Sequence, residues 1–556
     1  MGAIDSISIE NLRRHVKFLS GFEKLSGSNG AHDAVSYMSD VLKASRVKSE
    51  ILTFDEYLSD PISSVLQLEN SQVFRSRPRS FSKSIPEGIY APLVFDDSNQ
   101  SGSISQKELN ERLKSFKDKI VISHGYDERY AKLLEKNGAL GWIQVWNSPE
   151  EIIHEDTVGS VWGTPDLDSS LMALTIPVIC VNAADGETLI KYARENPSKN
   201  VYLSTMLDTG VRTVEVPIAY IEGESDEFIL VSGHYDTWYA GAMDNVAANA
   251  ACLEIARLFS TQHHKTHRGI RIAWWAGHSN GRYAGSAWYM DHFYKELKER
   301  CVAHLNSDLI GSKVAEMIAV ITTGLEGKEF ERKQIKEVDG KAPLMWKHFG
   351  RGADQSFWGA EIPYHLMTRY EVPPEKKVTA APGGSPWWHT IEDTYEKISF
   401  DILKKETQIF LKNVLAFSNE KVLPVDFNHY FGQMEERLCD VEQDSDPAFD
   451  FSDLQAALKQ LKEKAMYCYA KENEENKNKI VKIVGGKMNF LMQTYGSPYG
   501  QDLSYSYGMF PHLTAVKGVY RDCTTPEAFL FYETEFIRQK NRFLDTVNEI
   551  ILNLNF

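Results

Sequence analysis

The sequence predicts an α/β fold: a mostly parallel sheet flanked by helices, with an inserted α/β domain and a C-terminal helical domain. Three observations predict it. From Pro217 onward, apolar strand-like runs alternate with helix-like stretches; a shorter alternation of the same kind occupies 119–194; and after about residue 400 the strand patterns nearly stop.

The elements follow in order. Ile9, Leu12, Val16 and Leu19 keep helical spacing, and a second helical pattern runs from His32 to Leu42. Arg75 to Ser84, rich in Arg and Ser with one proline, predicts a crossing loop. Lys119–Ser123, Gly141–Trp146 and Ile176–Val181 predict strands, separated by helices at Tyr130–Asn137 and Asp185–Arg194. In the larger alternation Phe228–Ser232, Ile270–Trp275, Val302–Leu309 and Met317–Thr322 predict strands, and Asn245–Phe259 an apolar-faced helix. Near the end, Ser452-Asp453-Leu454-Gln455 predicts a capping box opening a helix with Leu454, Leu458 and Leu461 on one face. Lys471–Lys479 predicts a solvated helix face, and Pro526 the first residue of a final helix, Glu527–Leu552.

Composition narrows the function classes. The 556 residues are 42% apolar and 25% charged, which is globular and enough for roughly three or four domains. A net charge of −16 argues against nucleic acid as a partner, because phosphate binding needs a concentrated basic face. No apolar run of about 18 residues suggests a membrane span. The first residues lack a secretory pattern, and the six cysteines are scattered without Cys-x-x-Cys; both lead to the expectation of a cytoplasmic protein with reduced thiols.

Four segments carry chemistry: His234-Tyr235-Asp236 through Gly241-Ala242-Met243-Asp244-Asn245; Asn306-Ser307-Asp308-Leu309-Ile310-Gly311; Trp387-Trp388-His389-Thr390-Ile391-Glu392-Asp393-Thr394; and Gly277-His278-Ser279 through Gly285-Ser286. Each places an imidazole or carboxylate in or just after a strand or loop, where ligands of parallel sheets gather. Those groups hold zinc and its first-row neighbours, and one carboxylate can bridge two such ions. Asp236, two residues past His234, is placed to orient that imidazole.

The first three segments resemble the signatures of the co-catalytic zinc aminopeptidases, the family of bacterial leucyl aminopeptidases and glutamate carboxypeptidase II. The resemblance implies a zinc-peptidase core at 1–74 and 207–405. It implies a protease-associated insert at 75–206 and a helical domain at 406–556 like the one through which such proteins form homodimers. It makes His234, Asp244, Asp308 and His389 metal ligands, Asp244 the bridge and Asp236 the orienting carboxylate, with one or two zinc ions or another divalent first-row metal as cofactor. It also departs from the family: where Glu-Glu supplies the general base and a ligand, this chain reads His278-Ser279. Three outcomes stay open: His278 is the base, His278 is a replacement ligand, or the site is a relic. Arg282, Arg351 and Trp388 are expected to contact substrate. The resulting expectation is a metal-dependent hydrolase of an amide bond in a short peptide or amino-acid conjugate. The alternatives are a silent dimeric binding protein on the same scaffold, and a non-peptide amidohydrolase or lyase.

Overall fold

A computed structural model describes residues 3–98, 106–125, 127–148, 151–261, 265–505 and 508–555. Fourteen strands among these residues join in one mixed sheet, flanked by helices and followed by a helical region. At its centre lies Phe228–His234, buried at every position, as a strand covered on both faces must be. It pairs in parallel with Gly269–Trp275 on one side and Cys301–Asn306 on the other, and Tyr364–Glu371 continues the parallel order. Met317–Thr322 then runs antiparallel to Tyr364–Glu371 and parallel to Leu344–His348.

Helices cover this sheet because their apolar residues recur with helical period. Ala247–Ser260, almost wholly Ala, Leu, Ile, Cys and Phe, is buried nearly all round between the strands and the helices Ile9–Leu19 and Phe400–Asn419. The two N-terminal helices start where Ser8 and Ser28 accept hydrogen bonds from the amides of Asn11 and Ala31.

Two long antiparallel strands, Lys48–Leu68 and Asn200–Ile221, pair along nearly their whole length and carry the sheet out of the core into the insert. There Ile85–Asp96, Ile120–His124, Gly141–Val145 and Val178–Val181 form a parallel array with its own apolar clusters on either face. The core, the N-terminal helices and the C-terminal helices share one larger apolar cluster. The expected boundary at 405/406 lies inside the helix Phe400–Asn419, which packs on the core strands and helices.

Three local expectations are corrected. Ser452 is the first residue of its helix, Ser452–Lys471, rather than its cap; the Asp450 carboxylate accepts from the Ser452 amide instead. Lys471–Lys479 is not one helical face, because the chain breaks at Glu472–Asn473 before the next helix, Glu474–Gln493. Arg75–Ser84 is more than a loop: Arg77–Pro78 pairs antiparallel with Val178–Val181. Pro526 does open the final helix, Pro526–Asn553.

Candidate metal centre

The carboxyl ends of three adjacent parallel strands meet at one place. His234 closes its strand, His278 follows Trp275 by a sharp turn, and Asp308 lies just past Asn306. That turn needs a glycine: Gly277 sits at φ +63°, and a Cβ there would lie 2.3 Å from Glu56 Oε2. Ahead of the helix Ala247–Ser260, the Met243 and Asp244 amides donate to the two oxygens of Asp393, at 2.9 and 3.0 Å, which fixes the Asp244 backbone.

Asp244 is split between two imidazoles. Its Oδ1 lies 3.0 Å from His234 Nε2, and its Oδ2 lies 2.9 Å from His389 Nε2. Each imidazole is held from behind: His234 Nδ1 is 2.9 Å from the main-chain oxygen of Asp236, and His389 Nδ1 is 3.0 Å from that of Glu155. A carbonyl oxygen can only accept, so each Nδ1 carries the proton and each Nε2 aims into the site. Asp308 Oδ1, 3.4 Å from His234 Nε2, is buried and accepts no hydrogen bond among the described residues.

Buried carboxylates concentrate negative charge at this point. Burial alone would lower the His234 pKa, yet the surrounding carboxylates of Asp236, Asp244 and Asp308 push it well above its ordinary value. Burial would likewise raise Asp244, but its bonds to His234 and His389 hold it well below the usual carboxylate range. Imidazole nitrogens and carboxylate oxygens converging with their lone pairs inward are the donors that suit zinc and other first-row divalent ions, so the residues present fit the metal that the resemblance implies.

All four expected ligands therefore converge, and His278 joins them. One donor atom each from His234, His278 and Asp308 lie within 4.8 Å of one another. The His278 ring stacks on His234 at 3.5 Å between centroids, and its Nδ1 lies 2.7 Å from Asp354 Oδ2. Asp236 differs from expectation in detail. Its main-chain oxygen orients His234, while its carboxylate accepts from the amides of His278 and Ser279 at 3.3 and 2.9 Å.

The site opens on a cavity of about 540 Å³ lined by Asp244, His278, Ser279, Asp308 and His389. Arg282, Arg351 and Trp388 line it too. Arg282 is ion-paired with Glu128 of the insert. Arg351 stacks 3.9 Å over Trp162 and donates to Asp502 O at 2.6 Å, and burial lowers its pKa to about 10. Trp388 stacks on His389 at 3.8 Å. Trp387 lies under Lys397, whose Nζ is 5.0 Å from the ring centroid. The loop 495–510 reaches the cavity through Ser504, although its residues 506–507 fall outside the described ones.

Sequence reasoning missed His154 and Asp156. They lie in a buried stretch without helix or strand, and no spacing ties them to a motif. It also missed Asp354 as the partner of His278, because the two are 76 residues apart.

Residues 217–414 match peptidase family M28. Aminopeptidase YwaD of Bacillus subtilis (strain 168) is 21% identical over 477 residues, covering 80% of this chain and 94% of that protein. A probable glutamate carboxypeptidase of Zea mays, VP8, is 25% identical over 232 residues, 39% of this chain and 32% of its own length. A second, LAMP1 of Arabidopsis thaliana, is 22% identical over 295 residues, 48% of this chain and 43% of its own length. The chain thus spans less than half of these two plant relatives. Among solved structures, BSAP, a zinc aminopeptidase from Bacillus subtilis, matches with a TM-score of 0.58 at 19% identity, over 76% of this chain and 98% of that one. At that identity the likeness speaks for the fold.

Proposed function

Starting from a peptidase family M28 domain at residues 217–414, we propose that this protein is a metal-dependent hydrolase cleaving an amide bond in a short peptide or amino-acid conjugate. One observation carries the reading: Asp244 is shared, one oxygen each, between His234 and His389, beside a histidine that holds its own carboxylate partner. His234, Asp244, Asp308 and His389 would hold the metal. When bound, a divalent zinc-like ion supplies Lewis acidity, polarising the scissile carbonyl and acidifying water.

The chain's own groups do the rest. With Nδ1–H donated to Asp354, His278 Nε2 is free to take a proton from attacking water and return it to the leaving amine. Asp236 holds that imidazole in place through the amides of His278 and Ser279. Arg351, whose guanidinium donates only to main-chain oxygens among the described residues, brings positive charge to the cavity wall, which suits a substrate bearing a carboxylate. Trp388 offers an apolar face beside His389.

The test is metal analysis of dialysed protein with turnover of amino-acid amides and N-acyl amino acids by wild type and His278→Ala. The reading expects bound metal, and a loss of about 10²–10⁴ in kcat in the variant. Absence of both metal and turnover would leave a silent binding protein on this scaffold. We also propose a cytoplasmic homodimer. In support, the six cysteines are free thiols and the final helix leaves Leu530, Phe531 and Ile537 exposed. Light scattering that finds only monomer would count against the dimer.

A further inference from the structure

The motif comparison leaves a gap. Ser279 stands where the resemblance implies a ligating carboxylate, so the implied metal pair is one ligand short. The gap faces the insert. His154 and Asp156, both buried, come from the segment between the strands Gly141–Val145 and Val178–Val181. One donor atom each from His154, Asp156 and His389 lie within 4.8 Å of one another.

Three features show a held arrangement rather than a chance approach. The 154–156 backbone and His389 are tied reciprocally: the Glu155 amide donates to His389 O at 2.9 Å, and His389 Nδ1 donates to Glu155 O at 3.0 Å. The His154 ring lies flat on Trp146, with centroids 3.7 Å apart and planes 7° apart. Buried Arg79 donates to His154 O at 2.8 Å and to Gln144 at 2.5 Å, while Arg77 pairs with Glu155 at 2.5 Å. The Asp156 carboxylate keeps capacity to spare, since Oδ1 takes the Thr157 amide at 2.7 Å and the residue lines the cavity.

We propose that the insert completes the metal pair: His154, Asp156 and His389 form the second cation site, which shares Asp244 with the first. Two imidazoles and a carboxylate are a donor set for zinc, and Asp156 restores the negative charge that Ser279 withholds. This inference rests on the hydrolase reading above, but it concerns which residues bind and not what reacts.

Zinc binding tests it with the full chain. Anomalous diffraction at the zinc edge, from crystals of wild type grown with excess zinc, should give two peaks. One belongs beside His234 and Asp308, the other about 2.0–2.2 Å from donors of His154, Asp156 and His389. In solution, competition titration should give two zinc equivalents for wild type and one for His154→Ala/Asp156→Asn. The lost equivalent should weaken by far more than the roughly 10–100-fold that removing a mere orienting partner costs. A second peak bonded to His389 with neither His154 nor Asp156 within about 3 Å overturns the proposal, as does a double variant that keeps two tight equivalents. A single ion at His234 in wild type overturns this site alone, whereas a chain that takes no zinc overturns the hydrolase reading with it.

Discussion

At the scale of single residues, the site separates binding from proton transfer, and conservative substitutions read the two apart. Asp354→Asn keeps the shape but turns one of two accepting oxygens into an NH₂ donor and so no longer enforces the His278 Nδ1–H tautomer, and kcat should fall by about 10²-fold or more while zinc content stays at the wild-type level. Asp236→Asn should also spare zinc, because the main-chain oxygen that orients His234 remains. It should cost activity, because an amide NH₂ would face one of the two main-chain amides, of His278 and Ser279, that the carboxylate now accepts from. Zinc analysis beside kinetics checks both, and loss of metal in either variant would contradict the assignment. The four candidate ligands were legible in the sequence because each sits in a short motif that resembles a family signature, His234 and Asp308 at or just past strand ends and Asp244 and His389 in turns. His154, Asp156 and the pairing of Asp354 with His278 were not, since only the fold brings residues so far apart to one point. The Asp236 carboxylate, 3.6 Å from His234 Nδ1, shares its expected task with its own main-chain oxygen, a division that a spacing of two residues does not reveal.

At the scale of elements, amphipathic helices such as Ile9–Leu19 and buried strands such as Phe228–His234 declared themselves through their apolar period. Tyr364–Glu371 did not: it is buried throughout yet carries Arg369 and Glu371, whose charges pair inside the structure, Arg369 Nε lying 3.0 Å from Glu371 Oε1. Lys48–Leu68 alternates too loosely to read because much of it is exposed. Two predictions belong here. Arg79→Met removes the donor that anchors the 154–156 segment and leaves Gln144 Oε1 and His154 O without that guanidinium. It should lower stability by about 1–3 kcal/mol in urea unfolding. The second concerns Lys24, in the turn after the first helix, where Nζ donates to Thr237 Oγ1 and Ala240 O. Burial lowers its pKa from 10.5 to about 7. The folded chain therefore disfavours the ammonium that the unfolded chain keeps; the penalty is full below about pH 7 and is relieved as pH rises towards 10.5. Lys24 should thus make wild type gain stability between pH 7 and 9, and Lys24→Met should flatten that rise.

At the scale of the whole molecule, the α/β core with its insert and helical tail was readable, but the way they join was not. The helical region is no appendage: Phe427, Tyr430 and Phe431 belong to the same apolar cluster as Leu325, Ile362 and Tyr364 of the core. A chain ending after Asn419 would expose that face, and burying such side chains is worth roughly 1.5–3 kcal/mol each. The shortened protein should accumulate as insoluble material, and recovery of a soluble, folded 1–419 fragment would contradict this. No helix among the described residues is long and apolar enough to cross a membrane.

The paired strands Lys48–Leu68 and Asn200–Ile221 have a mechanical meaning beyond continuity of the sheet. At about 3.3 Å per residue the 21-residue strand is a beam of roughly 70 Å, so a bend of about 5° at its root swings the tip by about 6 Å. The 154–156 segment of the insert meets His389 of the core. The two hydrogen bonds between Glu155 and His389, 2.9 and 3.0 Å long, could not survive a displacement of that size.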